Sequence, residues 1–225
     1  MKVVIFAGGL GTRISEETET RPKPMVEIGG KPVLWHIMKI YSHFGFNDFI
    51  ICLGYKGYVI KEYFMNYFLH NADITVDLST NKMELHGSNS EAFKVTLVET
   101  GLNTKTAGRL KQVEKYIGGE DFMLTYGDGV GDIDIKALID HHKKSSRIAT
   151  VTAVQLAARF GGMDLTDDGT VSSFREKAKD ESKWINGGFF VLKPAVFNYL
   201  EGDMNDMMWE EEPLEKLTAD GQLAA

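Results

Sequence analysis

The sequence predicts an α/β fold: a Rossmann-like, doubly wound sheet, mixed but mostly parallel, with helices on both faces. Two observations carry this expectation. Short apolar runs without alternation, VVIF at 3–6, FIIC within 48–55 and FMLT within 122–128, read as strands buried on both faces of a parallel sheet. Stretches with helical spacing of apolar residues lie between them, which gives the β-α-β-α order of a nucleotide-binding sheet with its ligand at the carboxyl ends of the strands.

The 225 residues are read as one domain, long enough to bury a substantial core. No apolar run approaches the ~20 residues of a membrane span and no secretory signal opens the chain, so a cytoplasmic protein without a membrane partner is expected. A net charge of −7 argues against a nucleic-acid surface. An acidic chain that binds polyphosphate must gather its cations locally, and Arg13, Lys23 and Lys31 are gathered near the start. Cys52, the single cysteine, reads as a buried thiol, since it has no partner for a disulfide.

Val3–Phe6 is the first buried strand. Ala7-Gly8-Gly9-Leu10-Gly11-Thr12-Arg13 follows it, and three glycines in four positions let backbone N–H groups approach a ligand closely. Arg13 adds a planar fork of donors, and Lys23 stands between Pro22 and Pro24, which favour an extended segment. A tight turn with no ligand explains the glycines alone; the glycines with both cations describe a triphosphate cradle.

Pro32 opens a helix over VLWHIMKIYSHF, with Gly45 as its C-cap. Asp48–Tyr55 is the second strand and Gly57–Phe68 the second helix, with Lys56 and Lys61 as solvated charges. In 74–99 the alternating segments ITVDL and FKVTLVET read as a strand pair around a polar excursion. Thr100–Lys111 is either a helix entry capped by Thr104 or Thr106, or a nucleotide-binding loop with Arg109 available for phosphate or base oxygens.

Phe122–Asp128 is a central strand ending in a carboxylate on the edge that carries the glycine loop. A carboxylate beside polyphosphate is repelled unless a cation bridges them, so Asp128 implies Mg²⁺. Asp132 reads as the N-cap of the helix IKALIDHHKK, and His141 and His142 as surface residues. Ala149–Gln155, Val171–Lys177 and Ile185–Lys193 are further strands. Short helices follow at 194–200 and 209–217, the second opened by the acidic run Glu210-Glu211-Glu212.

GGLGTR at 8–13 followed by PKP at 22–24 resembles the GGxGTR…PKP hallmark of the sugar-1-phosphate nucleotidyltransferase family. The resemblance runs over essentially the whole chain. Its longer runs, among them RPKPMVEIGGKPVLWHIM, DFIICLGYKGYVIKEYF, TGLNTKTAGRLK, FMLTYGDGV, ARFGGMDL and INGGFFVLKP, are most similar to members that use CTP and glucose 1-phosphate. It implies a nucleotide-diphospho-sugar transferase fold, with a nucleotide-binding part over about 1–130 and a sugar-phosphate part over about 131–225. It also implies Mg²⁺-dependent, in-line attack of the sugar phosphate on the α-phosphorus, releasing pyrophosphate, and a homo-oligomer such as a hexamer.

Carried over residue by residue, the resemblance gives the nucleotide Phe6, Ala7, Gly8, Gly9, Leu10, Gly11, Thr12, Arg13, Lys23, Thr104, Arg109 and Asp128. Arg13, Lys23 and Asp128 are the catalytic set, with Asp128 on the metal. The family's EKP and NGG elements correspond to Glu176, Lys177, Asn186 and Gly187 as the sugar-phosphate pocket, with Ala178 in place of the proline. The family pattern continues with a GFW…MDT-like segment that supplies a second metal aspartate. The chain as given stops before it; for a protein that ends there, reduced or lost turnover with partly kept nucleotide binding is expected. A dTTP- or UTP-using relative and a non-catalytic sugar-nucleotide-binding subunit are the alternatives.

Overall fold

A computed structural model of the chain describes residues 1–10, 21–87, 91–155, 162–166, 170–175, 184–203 and 205–225. In chain order the elements are β1 Val3–Phe6, β2 Glu27–Ile28, β3 Lys31–Pro32, α1 Val33–His43, β4 Asp48–Leu53, α2 Gly57–Met65, α3 Tyr67–His70, β5 Asp73–Asp77, β6 Lys82–His86 and β7 Lys94–Glu99. They continue with α4 Thr106–Ile117, β8 Phe122–Tyr126, α5 Ile135–Ser145, β9 Ala149–Gln155, β10 Gly162–Leu165, β11 Val171–Arg175, β12 Trp184–Leu192, α6 Glu212–Ala219 and β13 Leu223–Ala224.

Seven strands form one sheet in the order β7-β4-β1-β8-β12-β9-β13. The β7-β4-β1-β8 half is parallel, and β12 runs antiparallel to both β8 and β9, so the sheet is mixed and mostly parallel as expected. Successive side chains of a strand point to opposite faces, and each face acquires its own core. Val4 and Phe6 of β1 join Ile50, Leu124 and Phe190 under α4 and α6; Val3 and Ile5 join Phe49, Ile51 and Met123 under α1, α2 and α5. β1 is fully buried at the centre, which is why its sequence is apolar at every position. Cys52 lies in the first of these cores, where burial pushes its thiol up to about 12, so it stays protonated and inert.

Several elements differ from the expectation. KMELH, within the polar excursion, is β6 and pairs antiparallel with β5, whereas FKVTLVET enters the main sheet as β7 beside β4. The second helix breaks at Asn66 into α2 and α3. The N-cap of α5 is Asp134, whose carboxylate accepts from the Ala137 amide at 2.9 Å, and not Asp132. Pro194–Tyr199 is a 3₁₀ turn, and α6 begins at Glu212, because Trp209 is drawn into the core beside Phe190.

Nor is His142 a surface residue. Ile135, Ile139 and His142 share the buried stripe of α5, and the His142 ring is fully buried with Nδ1 2.8 Å from Thr150 Oγ1. Its Nε2 lies 3.9 Å from Asp121 Oδ2. Burial holds its pKa below the ordinary histidine value, aided by Lys193 and His141 and opposed by Asp121. Folded His142 therefore takes up a proton less readily than the unfolded chain. As pH falls through about 6.5 the unfolded state binds more protons and stability drops, while above that pH the contribution vanishes. Urea unfolding from pH 7.5 to 5.5 should show this loss in the wild-type protein and a flatter profile in His142→Gln; parallel profiles would refute the assignment.

Candidate active site

The carboxyl ends of β1, β4 and β8 converge on one edge of the sheet, and backbone bonds tie them there. The Ala7 amide donates to Cys52 O at 3.0 Å, Tyr55 N to Gly8 O at 3.2 Å, and Gly127 N to Phe6 O at 2.8 Å. A cavity of about 350 Å³ opens on this edge. Phe6, Ala7, Gly8 and Gly9 line one side, Lys23, Pro24, Tyr126 and Asp128 another, and Thr104, Lys105, Thr106, Arg109 and Met208 a third.

Lys23 reaches the cavity because Pro22 is extended and Pro24 and Met25 are buried, which turns the 3₁₀ segment Lys23–Met25 toward the sheet. Asp128 arrives two residues after β8. Their side chains meet: Lys23 Nζ lies 2.5 Å from Asp128 Oδ2, with the lysine 25% and the aspartate 40% exposed. The residues assigned separately to phosphate charge and to metal thus stand in one cavity.

Arg109 behaves differently from the free donor expected of it. Its guanidinium is buried and both terminal nitrogens are engaged: Nη1 donates to Leu53 O (2.9 Å), Thr100 Oγ1 (2.7 Å) and Gly101 O (2.9 Å), and Nη2 to Gly8 O (3.0 Å) and Leu102 O (3.3 Å). Desolvation lowers its pKa, though a guanidinium stays charged. The glycine at position 8 is needed for this packing as much as for a ligand. A Cβ on Gly8 would sit 2.2 Å from Nη1, and one on Gly54 would sit 2.6 Å from it. Gly9, by contrast, has open space where its Cβ would be.

Neither threonine caps α4. Its N-cap position is Lys105, and the helix start is held by a segment distant in sequence: Lys105 N donates to Asn205 O at 2.8 Å and Ala107 N to Met207 O at 3.2 Å. Thr106 Oγ1 accepts from the Trp209 amide at 2.8 Å and donates to Glu210 Oε2 at 2.7 Å. Glu210 is therefore bonded and not merely solvated, and Met208 is carried into the cavity wall. Thr104 also lines the wall and is buried.

Asn186 and Gly187 lie in β12 where its register with β9 jumps: Asn186 opposes Ala153, but Phe190 opposes Val151. The extra residues form a bulge with Gly188 at φ +73 and Phe189 at φ +48. Asn186 is exposed, and its Oδ1 accepts from the Gly188 amide at 2.8 Å. The left-handed Phe189 is offset by burial of its ring near Tyr41, 5.9 Å between centroids. Leu10 is half exposed at the end of the described loop. Gly11, Thr12, Arg13, Glu176 and Lys177 lie outside the described residues. Lys105 and Thr106 fall in the stretch read as a helix entry or nucleotide-binding loop, whereas Tyr126 and Met208 lie outside every expected site; of these two only Tyr126, just before Gly-Asp at a strand end, carries a readable signal.

The pattern of the nucleotidyl transferase family matches residues 2–224. Glucose-1-phosphate cytidylyltransferases from Salmonella typhi and from Salmonella typhimurium are each 56% identical over 226 residues, covering 100% of this chain and 87% of theirs. Among solved structures, HddC from Yersinia pseudotuberculosis superposes with a TM-score of 0.67 at 27% identity, over 96% of this chain and 85% of its own.

Proposed function

The chain belongs to the nucleotidyl transferase family, and we propose that it makes CDP-glucose and pyrophosphate from CTP and α-D-glucose 1-phosphate. The observation that supports this most is the meeting of Lys23 and Asp128, 105 positions apart, in one cavity beside Gly8 and Gly9. The relatives at 56% identity are named for cytidylyl transfer to glucose 1-phosphate, which favours CTP over UTP and dTTP.

A sugar 1-phosphate has a second pKa near ~6 and is largely dianionic at neutral pH. It is already a nucleophile, so no general base is required. The barrier is repulsion between this dianion and the triphosphate, plus charge building on the departing pyrophosphate. One phosphate oxygen of the sugar phosphate bonds to the α-phosphorus as the bond from that phosphorus to the β-phosphate oxygen breaks, and pyrophosphate leaves with the electron pair. Catalysis is then positioning and electrostatics.

Lys23 places its charge at the reacting α-phosphate. Arg13 and the amides of the glycine loop hold the β- and γ-phosphates. Thr104 and Arg109 shape the nucleotide wall, Arg109 by fixing the carbonyls of Gly8 and Leu53 around the loop. Lys177 meets the sugar phosphate, and Glu176, Asn186 and Gly187 the sugar. Nucleotidyltransferases generally use a divalent metal, and Mg²⁺ fits Asp128: it binds through one or two carboxylates with phosphates and water filling the rest. When bound, the ion neutralises polyphosphate charge. No helix among the described residues is long and apolar enough to cross a membrane, and we place the reaction in the cytoplasm.

A homo-oligomer is part of the proposal. Cross-strand neighbours share a face, so Ile74 with Leu85 and Val76 with Met83 make an apolar face on the β5–β6 hairpin, each about half exposed. The other face carries Thr75 and Glu84. A lone two-stranded hairpin is marginal in water, and a second copy of the chain would cover it.

Pyrophosphate release from CTP and glucose 1-phosphate with Mg²⁺ should fall by about 10²–10³ in Lys23→Ala, the usual loss for one electrostatic stabiliser, with the circular dichroism spectrum unchanged. A fully active variant would remove Lys23 from the mechanism. In light scattering, the Ile74→Asp, Leu85→Asp protein should be smaller than wild type; an unchanged mass would place the subunit contacts elsewhere.

A further inference from the structure

Among the described side chains that bury a polar atom without a hydrogen-bond partner, Tyr126 is the one that lines the cavity. Its ring is fixed. Phe6 packs on one side at 6.1 Å and Phe190 on another at 6.3 Å between centroids, and a Cβ on Gly188 would stand 3.2 Å from its Cδ2. Glu210 and Asn186 come near enough to act on the hydroxyl as hydrogen-bond partners and Asp128 acts on it through its charge, yet among the described residues none meets it in full hydrogen-bonding geometry. At neutral pH a tyrosine phenol is protonated and can donate.

A buried hydroxyl with no partner costs stability, and most buried polar groups are paired. Tyr126 is thus a donor held rigid at some cost in the wall of the cavity, its hydroxyl buried beside the space a substrate would enter. Its position says which substrate that is. β8 lies between β1, which carries the glycine loop, and β12, which carries Asn186. Tyr126 ends β8, two residues before Asp128, so its hydroxyl stands on the border between the phosphates and the bulge of β12.

We propose that the Tyr126 hydroxyl is a positioning donor for the glucosyl group, binding a sugar oxygen of glucose 1-phosphate and of CDP-glucose on the Asn186 side of the cavity. Glu210, held by Thr106, is the carboxylate beside it. The proposal rests on the function given above and adds a residue to it. Removing one hydroxyl leaves the sugar oxygen unpaired in the complex and relieves an unpaired group in the free protein, so binding and stability respond in opposite directions.

The test is Tyr126→Phe, read by urea unfolding, by KM and kcat for each substrate, and by calorimetric titration of CDP-glucose, which needs no turnover. The expected result is an unfolding midpoint equal to or above wild type, KM for glucose 1-phosphate and Kd for CDP-glucose each raised about tenfold, and KM for CTP within twofold. A lowered midpoint would mean that the hydroxyl bonds within the protein and would overturn the proposal. So would unchanged KM and Kd, or an equal rise in KM for CTP. A wild-type protein that binds CDP-glucose but releases no pyrophosphate would sink the proposed reaction and leave the binding comparison decisive for Tyr126.

Discussion

The guanidinium of Arg109 donates to the carbonyls of Gly8, Leu53, Gly101 and Leu102 and to the Thr100 hydroxyl, and so binds the loops after β1, β4 and β7 into one rim. Taking a charge out of water costs several kcal/mol, and charge-assisted hydrogen bonds of about 1.5–3 kcal/mol each offset it. The carbonyl oxygens it draws inward are those of loops that must turn their N–H groups the other way. One buried cation therefore helps to shape a wall suited to anions. Gly8 and Gly54 are part of the same device, since a Cβ at either would occupy the space of the guanidinium.

Against that wall stand groups of opposite charge that are not locked into the fold. Lys23 and Asp128 face each other with a quarter and two fifths of their side chains exposed, so each can exchange its partner for a phosphate or a metal at modest cost. This division is what electrostatic catalysis needs. The frame is rigid and its dipoles are fixed before substrate arrives, and the few mobile charges respond to where the phosphates lie. Tyr126 belongs to the rigid part, with its ring wedged between Phe6 and Phe190.

Much of this was legible in the residues, for physical reasons. β1, β4 and β8 are buried on both faces, and such strands announce themselves as uninterrupted apolar runs. Lys23 and Asp128 could be read because proline bracketing and a strand-end carboxylate are local signals. What depended on distant partners was not legible. KMELH has the polarity of a loop, and only its pairing with β5 makes it a strand. Arg109 looked like a free donor because the carbonyls that accept from it lie up to 101 positions away. The spacing 135, 139, 142 did mark His142 as buried, and the neighbouring polar run HHKK concealed it. Met208 reaches the cavity through backbone bonds between 205–207 and the start of α4, which no composition reveals.

In the proposed reaction the protein is a scaffold of charges and forms no covalent bond to the nucleotide, although Lys23, Thr104, Thr106 and Tyr126 all line the cavity and are nucleophiles by type. The stereochemical course at phosphorus decides this most directly. With CTP made chiral at the α-phosphorus by a single sulfur substitution, direct attack by glucose 1-phosphate predicts inversion of configuration in the CDP-glucose formed. Retention would reveal two successive displacements through a nucleotidylated side chain and would contradict the account.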